Sequence, residues 1–351
     1  MIDSLAEFEH EQLAIRRGER SGLYCTVAIN STARGPSLGG CRLWTYPTVG
    51  DGVSDALRLS RAMTLKAAVA GLPLGGGKGV IIRPADEPLP RSRRHQALLD
   101  FADLVESFGG RYITAEDVGT SSRDMSVIAQ RTGHVAGRSR GSGGSGDPSP
   151  FTALGVLEAI LATCERAFGE PSLAGRSVCV LGLGHVGSRV ARLCLRAGAA
   201  VTVSDVDPSL RGPMVALGAR WIDPRHAIRT RVDVLVPCAL GGLLTERSVA
   251  TLHCRAIAGA ANNQLQTDAV ARVLARREIL WAPDFVANAG GLINIAEEIG
   301  GYDPIAARNR VRLIGDVLRR IYDRAAHDRI TPLAAAMLLA QANLRPAGRA
   351  G

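Results

Sequence analysis

The sequence predicts an α/β protein of two domains, an α/β domain followed by one built on a doubly wound parallel sheet. Three observations carry this. Apolar segments of strand length alternate with segments of helical period along most of the chain. After residue 150 the alternation becomes a regular strand–helix repeat, which specifies a parallel sheet covered on both faces. Between the two regions Gly137 to Pro150 reads GRSRGSGGSGDPSP, a Gly/Ser/Pro stretch without hydrophobic period and long for a plain connection. A hinge is expected there, with one domain over 1–136 and the other beginning at 137.

Taken in order, Leu23 to Ile29 (LYCTVAI) reads as a strand. Ser54 to Ala70 reads as a helix, with Ala56, Leu59, Met63, Ala67 and Ala70 at helical spacing and a break at Gly71-Leu72-Pro73. Gly79 to Ile82 is a short buried strand, and Gln96 to Phe108 a helix ended by Gly109-Gly110. Beyond the hinge, Phe151 to Phe168 is helical, and Ser177 to Leu181 (SVCVL) is a continuous apolar run, as a strand buried on both faces requires. Val186 to Ala197 is a helix stopped by Gly198. Ala200 to Ser204, Val232 to Val236, Ala256 to Gly259 and Glu278 to Trp281 complete the strands. No internal repeat of solenoid period is visible.

Composition narrows the function classes. Apolar residues make up 46% of the 351 positions, enough for two cores, yet no run reaches membrane-spanning length. The N-terminus, MIDSLAEFEHEQ, is polar and acidic rather than a secretory signal. Seven scattered cysteines without a C-x-x-C pair point to reduced thiols in a cytoplasmic protein. The histidines lack ligand spacing, so no metal is expected. The net charge of +9 is spread along the chain without interleaved aromatics, which fits small anionic ligands better than nucleic acid.

Gly182-Leu183-Gly184-His185-Val186-Gly187 forms G-x-G-x-x-G between an expected strand and an expected helix. In that context Gly182 permits the tight turn, Gly184 lets backbone approach a pyrophosphate, and Gly187 allows close helix–sheet packing. The helix N-terminus offers unpaired N–H groups to the phosphates. Leu183, His185 and Val186 fill the x positions and belong to the same cofactor site; the His185 side chain is incidental. Asp205, with Val206 beside it, closes the next strand and would accept the adenosine ribose hydroxyls. A 2′-phosphate would meet its carboxylate, so NAD is favoured over NADP.

The basic residues are lopsided. Of 42 Lys plus Arg, only Lys66 and Lys78 are lysine. On a surface the two types are nearly interchangeable, but only lysine can be tuned to release its proton. Lys78 follows Leu74-Gly75-Gly76-Gly77, which resembles a phosphate loop and fails its pattern twice: Leu72 stands where the first glycine belongs, and Gly79 where Ser or Thr would bind magnesium. What remains is a lysine on a flexible glycine turn ahead of a strand, a second lysine on the preceding helix, and the acid pair Glu116-Asp117. Two ammonium groups and a carboxylate can serve an oxidative deamination. One ammonium pairs with the substrate carboxylate, the other takes a proton from water attacking an imine, and the carboxylate handles the amino protons.

Longer motifs carry a resemblance. Gly35 to Gly40 (GPSLGG), MTLK (63–66), LPLGGGK (72–78), RYITAEDVGT (111–120), GDPSP (146–150), PCALGG (237–242), GAANNQL (259–265) and WAPDFVANAGGLIN (281–294) resemble the Glu/Leu/Phe/Val dehydrogenases, the leucine and valine branch above all. The resemblance covers nearly the whole chain. It implies a substrate domain completed by 326–351 and a Rossmann-type NAD domain over 137–325, with catalysis in a cleft between them. It implies Lys78 as catalytic, Lys66 as holder of the substrate carboxylate, and Asp117 as proton shuttle. Gly40, Met63 and Asn262 match positions lining the substrate site. Thr152, Cys238, Ala239 and Asn288 match positions near the cofactor. With no third lysine for a distal carboxylate and Leu38 in the glycine-rich stretch, an apolar substrate side chain is expected. Ala115 resembles the aliphatic branch, and Leu292 and Ile295, in the side-chain pocket, are bulkier than the valines usual in leucine enzymes. Valine, 2-aminobutyrate or leucine is the expected substrate. The alternatives are a specialised-pathway dehydrogenase for an aromatic or unusual side chain, and a non-catalytic NAD-binding protein. Asp147 replaces a common Asn, Arg34 interrupts an apolar stretch, and the C-terminus NLRPAGRAG is short. A homo-oligomer, with a dimer preferred over an octamer, is expected.

Overall fold

A computed structural model describes residues 9–85 and 88–344, the side chain of Ser142 excepted. The first residues of the acidic N-terminus and the chain beyond 344 lie outside that range, and with them most of the N-terminal reading and the C-terminal one. The fold consists of two compact units. The first runs to Asp147 and takes back Ile295–Pro304 and the chain from Ala340; the second comprises Pro148–Asn294 and Ile305–Leu339. Relative to the sequence-based division, the first unit extends through the glycine-rich segment, and residues 326–339 group with the second unit.

The first unit is a mixed sheet of β1 (Gln12–Arg17), β2 (Tyr24–Ser31), β3 (Ser37–Thr45), β4 (Gly75–Arg83) and β5 (Tyr112–Glu116) in the order β1-β2-β4-β3-β5. β1 and β4 flank β2 antiparallel, while β4, β3 and β5 run parallel. The alternation of strand side chains divides the core. Val27, Ile29 and Ile81 face α2 (Arg91–Glu106) through Phe101, whereas Ala28, Val80 and Ile82 face α1 (Val49–Val69) through Ala56. α1 begins earlier than its apolar period suggests, because Thr48 and Asp51 form a capping box that satisfies the first N–H groups. α3 (Ser122–Ile128) follows β5 and starts on a second capping box, Ser121 with Asp124.

The largest departure from expectation is the glycine run. Gly75 to Gly79 is no flexible turn but the first half of β4, paired with β2 on one side and β3 on the other. Glycine weakens strands and reads as punctuation. Here it is required by close approach. A Cβ on Gly77 would stand 2.7 Å from Tyr112 Cδ2 and 2.9 Å from Ser37 Oγ, and one on Gly79 would stand 2.6 Å from Phe101 Cε2. A Cβ on Gly76 would run into the α1 backbone at Thr64. Gly39 and Gly40 hid β3 in the same way.

The second unit is a six-stranded sheet of β6 (Ser177–Leu181), β7 (Ala200–Ser204), β8 (Arg220–Trp221), β9 (Val234–Pro237), β10 (Ala256–Ile257) and β11 (Leu280–Trp281). The order is β11-β10-β9-β6-β7-β8 and every pair is parallel. This is the Rossmann arrangement, and its order reverses between β6 and β9, where ligands of such sheets bind. β6 and β7 have the expected bounds; the two-residue β8 is too short to show in the sequence. α4 (Ser149–Phe168) precedes β6 and α5 (Gly187–Arg196) links β6 to β7. Among the described residues no helix is long and apolar enough to cross a membrane.

Candidate active site

Lys78 sits in the middle of β4, 4% exposed. Pairing with Ala28 of β2, and of the flanking Gly76 and Gly79 with β3, fixes its backbone, so its ammonium is placed by the sheet rather than by a mobile loop. Asp117 follows directly on β5, where its N–H donates to Thr120 Oγ1, and Thr120 Oγ1 in turn donates to Cys41 O. The two side chains meet: Lys78 Nζ is 2.9 Å from Asp117 Oδ2. A second cation that the sequence reading missed shares that oxygen. Arg42 on β3 donates from Nε to Asp117 Oδ2 at 2.9 Å and from Nη1 to Asp55 Oδ2 at 2.8 Å. Asp55, on α1, also accepts from Tyr46 Oη and Arg58 Nη2. Burial alone would raise the Asp117 pKa. The charges of Lys78 and Arg42, with their hydrogen bonds, outweigh it and hold the group below the ordinary aspartate value. Burial and the nearby Asp147 push the neighbouring Glu116 the other way, above its ordinary value.

The other expected substrate residues of this unit, Ile295 apart, lie on the same strands and on α1. Gly40 is buried on β3, and a Cβ there would stand 2.6 Å from Glu116 O and 2.7 Å from Asp117 Cβ, so the bare backbone lets β5 and Asp117 come close. Ala115 is 3% exposed, one residue short of Glu116 at the end of β5. Met63 and Lys66 are half-buried near the C-terminal end of α1, whose backbone at Thr64 touches Gly76 of β4. Ile295 is buried in this unit, while Leu292 and Asn262 belong to the second.

The unexpected Arg34 also has a use. Its Nε donates to Leu72 O at 2.9 Å and its Nη1 to Asn343 O, while Asn343 Nδ2 donates to Ala68 O at 2.8 Å. The returning C-terminal helix is thereby tied to the end of α1. The glycine-rich segment is likewise closed on a buried carboxylate: Glu298 Oε2 accepts from Gly137 N at 2.8 Å and Ser145 N at 2.9 Å. Neither polar anchor was visible in the sequence.

In the second unit the three motif glycines are distinct. Gly182 has φ +95° and a Cβ there would press on Ala239, 2.7 Å from its N. A Cβ on Gly187 would collide with the Gly182 carbonyl and stand 3.0 Å from Cys238 Cβ. On Gly184 it would meet nothing within 4 Å, an open face where a ligand could approach the backbone. Leu183 is buried, Val186 half-buried and His185 exposed. Asp205 Oδ2 accepts from Leu183 N at 2.6 Å and Oδ1 from Asp207 N at 2.9 Å, which fixes the carboxylate beside the motif; Val206 is 88% exposed. Burial lifts the Cys238 thiol to about 12, which leaves it protonated at neutral pH. Asn288 Nδ2 donates to Asn262 Oδ1 at 2.8 Å and to Ala260 O at 3.1 Å, so a residue expected at the substrate and one expected at the cofactor adjoin. Thr152, on α4, donates to Pro148 O and abuts Gly291, where a Cβ would stand 2.6 Å from its Oγ1. A cavity of about 720 Å³ at the opposite, amino-terminal ends of β6 and β7 is lined by Arg220, Arg229 and Arg231 and by none of these residues.

Comparison with known proteins gives the family of the chain. Residues 10–134 match the family model described as Glu/Leu/Phe/Val dehydrogenase, dimerisation domain, and residues 214–301 that of Glutamate/Leucine/Phenylalanine/Valine dehydrogenase. A valine dehydrogenase of Streptomyces virginiae is 43% identical over 345 residues, covering 96% of this chain and 94% of that protein. A leucine dehydrogenase of Thermoactinomyces intermedius is 38% identical over 343 residues, covering 97% and 92%. Among solved structures, L-tryptophan dehydrogenase from Nostoc punctiforme superposes with a TM-score of 0.85 at 36% identity, covering 98% of each chain.

Proposed function

The chain belongs to the Glu/Leu/Phe/Val dehydrogenase family and is an amino acid dehydrogenase; we propose that it catalyses the NAD-dependent, reversible oxidative deamination of an aliphatic L-amino acid of the valine, leucine or 2-aminobutyrate type. The observation that carries the reading is the pair of buried Lys78 on β4 and half-buried Asp117 just past β5, 2.9 Å apart across the intervening β3. The half-buried Lys66 would hold the substrate carboxylate. Lys78 would take the proton from the water that attacks the substrate imine, and Asp117 would carry protons to and from the amino nitrogen. These are the tasks for which lysine and a carboxylate, but not arginine, are chemically suited.

The residues of the second unit fit a dinucleotide. The open backbone at Gly184, the helix start at Gly187 and the carboxylate of Asp205 would receive pyrophosphate and ribose. A 2′-phosphate at Asp205 would set two anions against each other, which favours NAD. When bound, the nicotinamide would accept the hydride from the substrate α-carbon. The residues assigned to the substrate side chain, Met63, Ala115, Leu292 and Ile295, are apolar and offer no partner for a distal charge. One methylene changes selectivity by only about 1–3 kcal/mol, so specificity among aliphatic substrates is expected to be partial. The similarity to a tryptophan dehydrogenase favours one second reading, an aromatic substrate. A homodimer in the cytoplasm is the expected working form, in keeping with a matched domain described as a dimerisation domain and with seven unpaired, buried or half-buried thiols.

NADH formation from a panel of L-amino acids, including tryptophan and phenylalanine, tests the proposal together with Lys78→Ala. Valine, 2-aminobutyrate or leucine should give the highest kcat/KM, and Lys78→Ala should abolish turnover. A clear aromatic preference refutes the substrate assignment, and full activity in Lys78→Ala refutes the mechanism.

A further inference from the structure

The proton-shuttle carboxylate is not held by Lys78 alone. Both cations converge on one oxygen, Asp117 Oδ2, at 2.9 Å each. Arg42 is itself fixed by a second acid, since its Nη1 lies 2.8 Å from Asp55 Oδ2, and Asp55 is held by Tyr46 Oη at 2.7 Å and Arg58 Nη2 at 2.6 Å. The guanidinium therefore spans from α1 to the end of β5 with two different N–H groups. Charges alternate along Lys78, Asp117, Arg42 and Asp55. All four are at most 22% exposed, so water screens them weakly.

We propose that Arg42 is a positioning residue for the deamination reaction: pinned by Asp55, it clamps Oδ2 of Asp117 and turns Oδ1 to the substrate nitrogen. This rests on the function proposed above. Clamping one oxygen leaves the carboxylate a single orientation and a single basic site. It also keeps the carboxylate charged when Lys78 gives up its proton during turnover, because arginine remains a cation throughout. Lysine at position 42 could not do the same, since one ammonium cannot reach both acids in the fork geometry that the guanidinium offers.

The groups facing Asp117 are Lys78 on β4, Arg42 and Cys41 on β3, and Tyr112 on β5, with Asp55 of α1 acting through Arg42. Burial raises Cys41 and Tyr112 well above their ordinary values, so neither titrates in the working range. Removing Arg42 therefore withdraws one of two opposing charges from Asp117, and its titration moves to higher pH.

Kinetics and direct titration test this. In Arg42→Met, kcat should fall about 10- to 100-fold, the scale of losing a charged hydrogen bond, while KM moves less than about threefold. The acid limb of the kcat profile should shift to higher pH. Arg42→Lys should recover part of kcat, and Asp55→Asn, which frees Arg42 to turn while leaving its charge in place, should lower kcat by less than Arg42→Met. Carbon NMR of carboxyl-labelled protein, with Asp117→Asn for assignment, reads the Asp117 titration whether or not any substrate is turned over. An acid limb and an Asp117 titration both unchanged in Arg42→Met overturn the inference, even if kcat falls. Inactive wild-type protein with a shifted Asp117 titration would overturn the proposed function and leave the clamp standing.

Discussion

Two alanine substitutions in one motif separate the structural from the binding use of glycine. In Gly182→Ala the new Cβ would stand 2.7 Å from Ala239 N and 2.8 Å from its Cα and Cβ, at a φ of +95°. The positive φ costs about 1–2 kcal/mol for a residue with a side chain, and overpacking against fixed backbone about 1–3 kcal/mol more. A loss of roughly 2–5 kcal/mol in the second unit follows, at roughly 2–4 °C per kcal/mol for a domain of this size. Gly184→Ala differs, because its Cβ meets nothing within 4 Å. Stability should be unchanged or rise by up to about 1 kcal/mol, from the reduced freedom of the unfolded chain. NADH binding should nevertheless weaken at least about tenfold, or about 1.4 kcal/mol, because the methyl would stand where the proposed site receives the pyrophosphate. Thermal melting and NADH fluorescence titration read both quantities. Wild-type NADH affinity in Gly184→Ala would refute the assignment of this turn to the cofactor.

Three further outcomes are expected. Lys78→Arg should lower kcat by about 10²–10⁴-fold because arginine cannot act as the base, whereas Lys66→Arg should act mainly on KM; equal effects on kcat would overturn the division of roles. Asp117, whose folded pKa is depressed, contributes stability that is fully present above its unfolded value of about 3.9 and lost as pH falls through the folded one. Melting from pH 6 to pH 3 should therefore show wild type losing stability in acid faster than Asp117→Asn, and parallel curves would contradict the sign. Arg34→Ala should cost about 1–3 kcal/mol and speed protease cleavage of the helix Pro332–Leu344, through loss of the bonds to Leu72 and Asn343; unchanged digestion would show the tie to be idle.

How much of this was legible in the sequence depended on what each segment had to bury. β6 and β7 lie inside a parallel sheet, so their side chains are apolar on both faces and their bounds could be read to the residue. The strands that carry the chemistry could not. Gly39, Gly40 and Gly75 to Gly79 give way to Phe101, Tyr112, Thr64 and the neighbouring strands, and an element made of absent side chains has no periodicity to read. Lys78 was found because of its type and neighbours, yet its setting was misread as a turn. The start of α1 was missed because the Thr48 capping box, rather than an apolar residue, defines it. Glu298 gave no signal either: what marks it is the pair of N–H groups it satisfies, at Gly137 and Ser145, far away in the chain.

Arg42 shows the converse of the lysine argument. Arginine makes up all but two of the basic residues, so Lys66 and Lys78 stand out, and the same bias leaves Arg42 without contrast among its kind. Yet the two cations on Asp117 Oδ2 have the types their positions call for. A cation that must release its proton has to be lysine. A cation that must stay charged and reach two carboxylates at once is best made from a guanidinium. Compositional drift can convert the exposed lysines of such a protein at little cost, since an exposed ion pair is worth little and either cation solvates the surface. On the proposed mechanism it cannot convert Lys78 without removing the base. Nor can it run in reverse at Arg42 without freeing Asp55 or Asp117. The identity of each cation at this carboxylate is therefore set by whether its proton must leave.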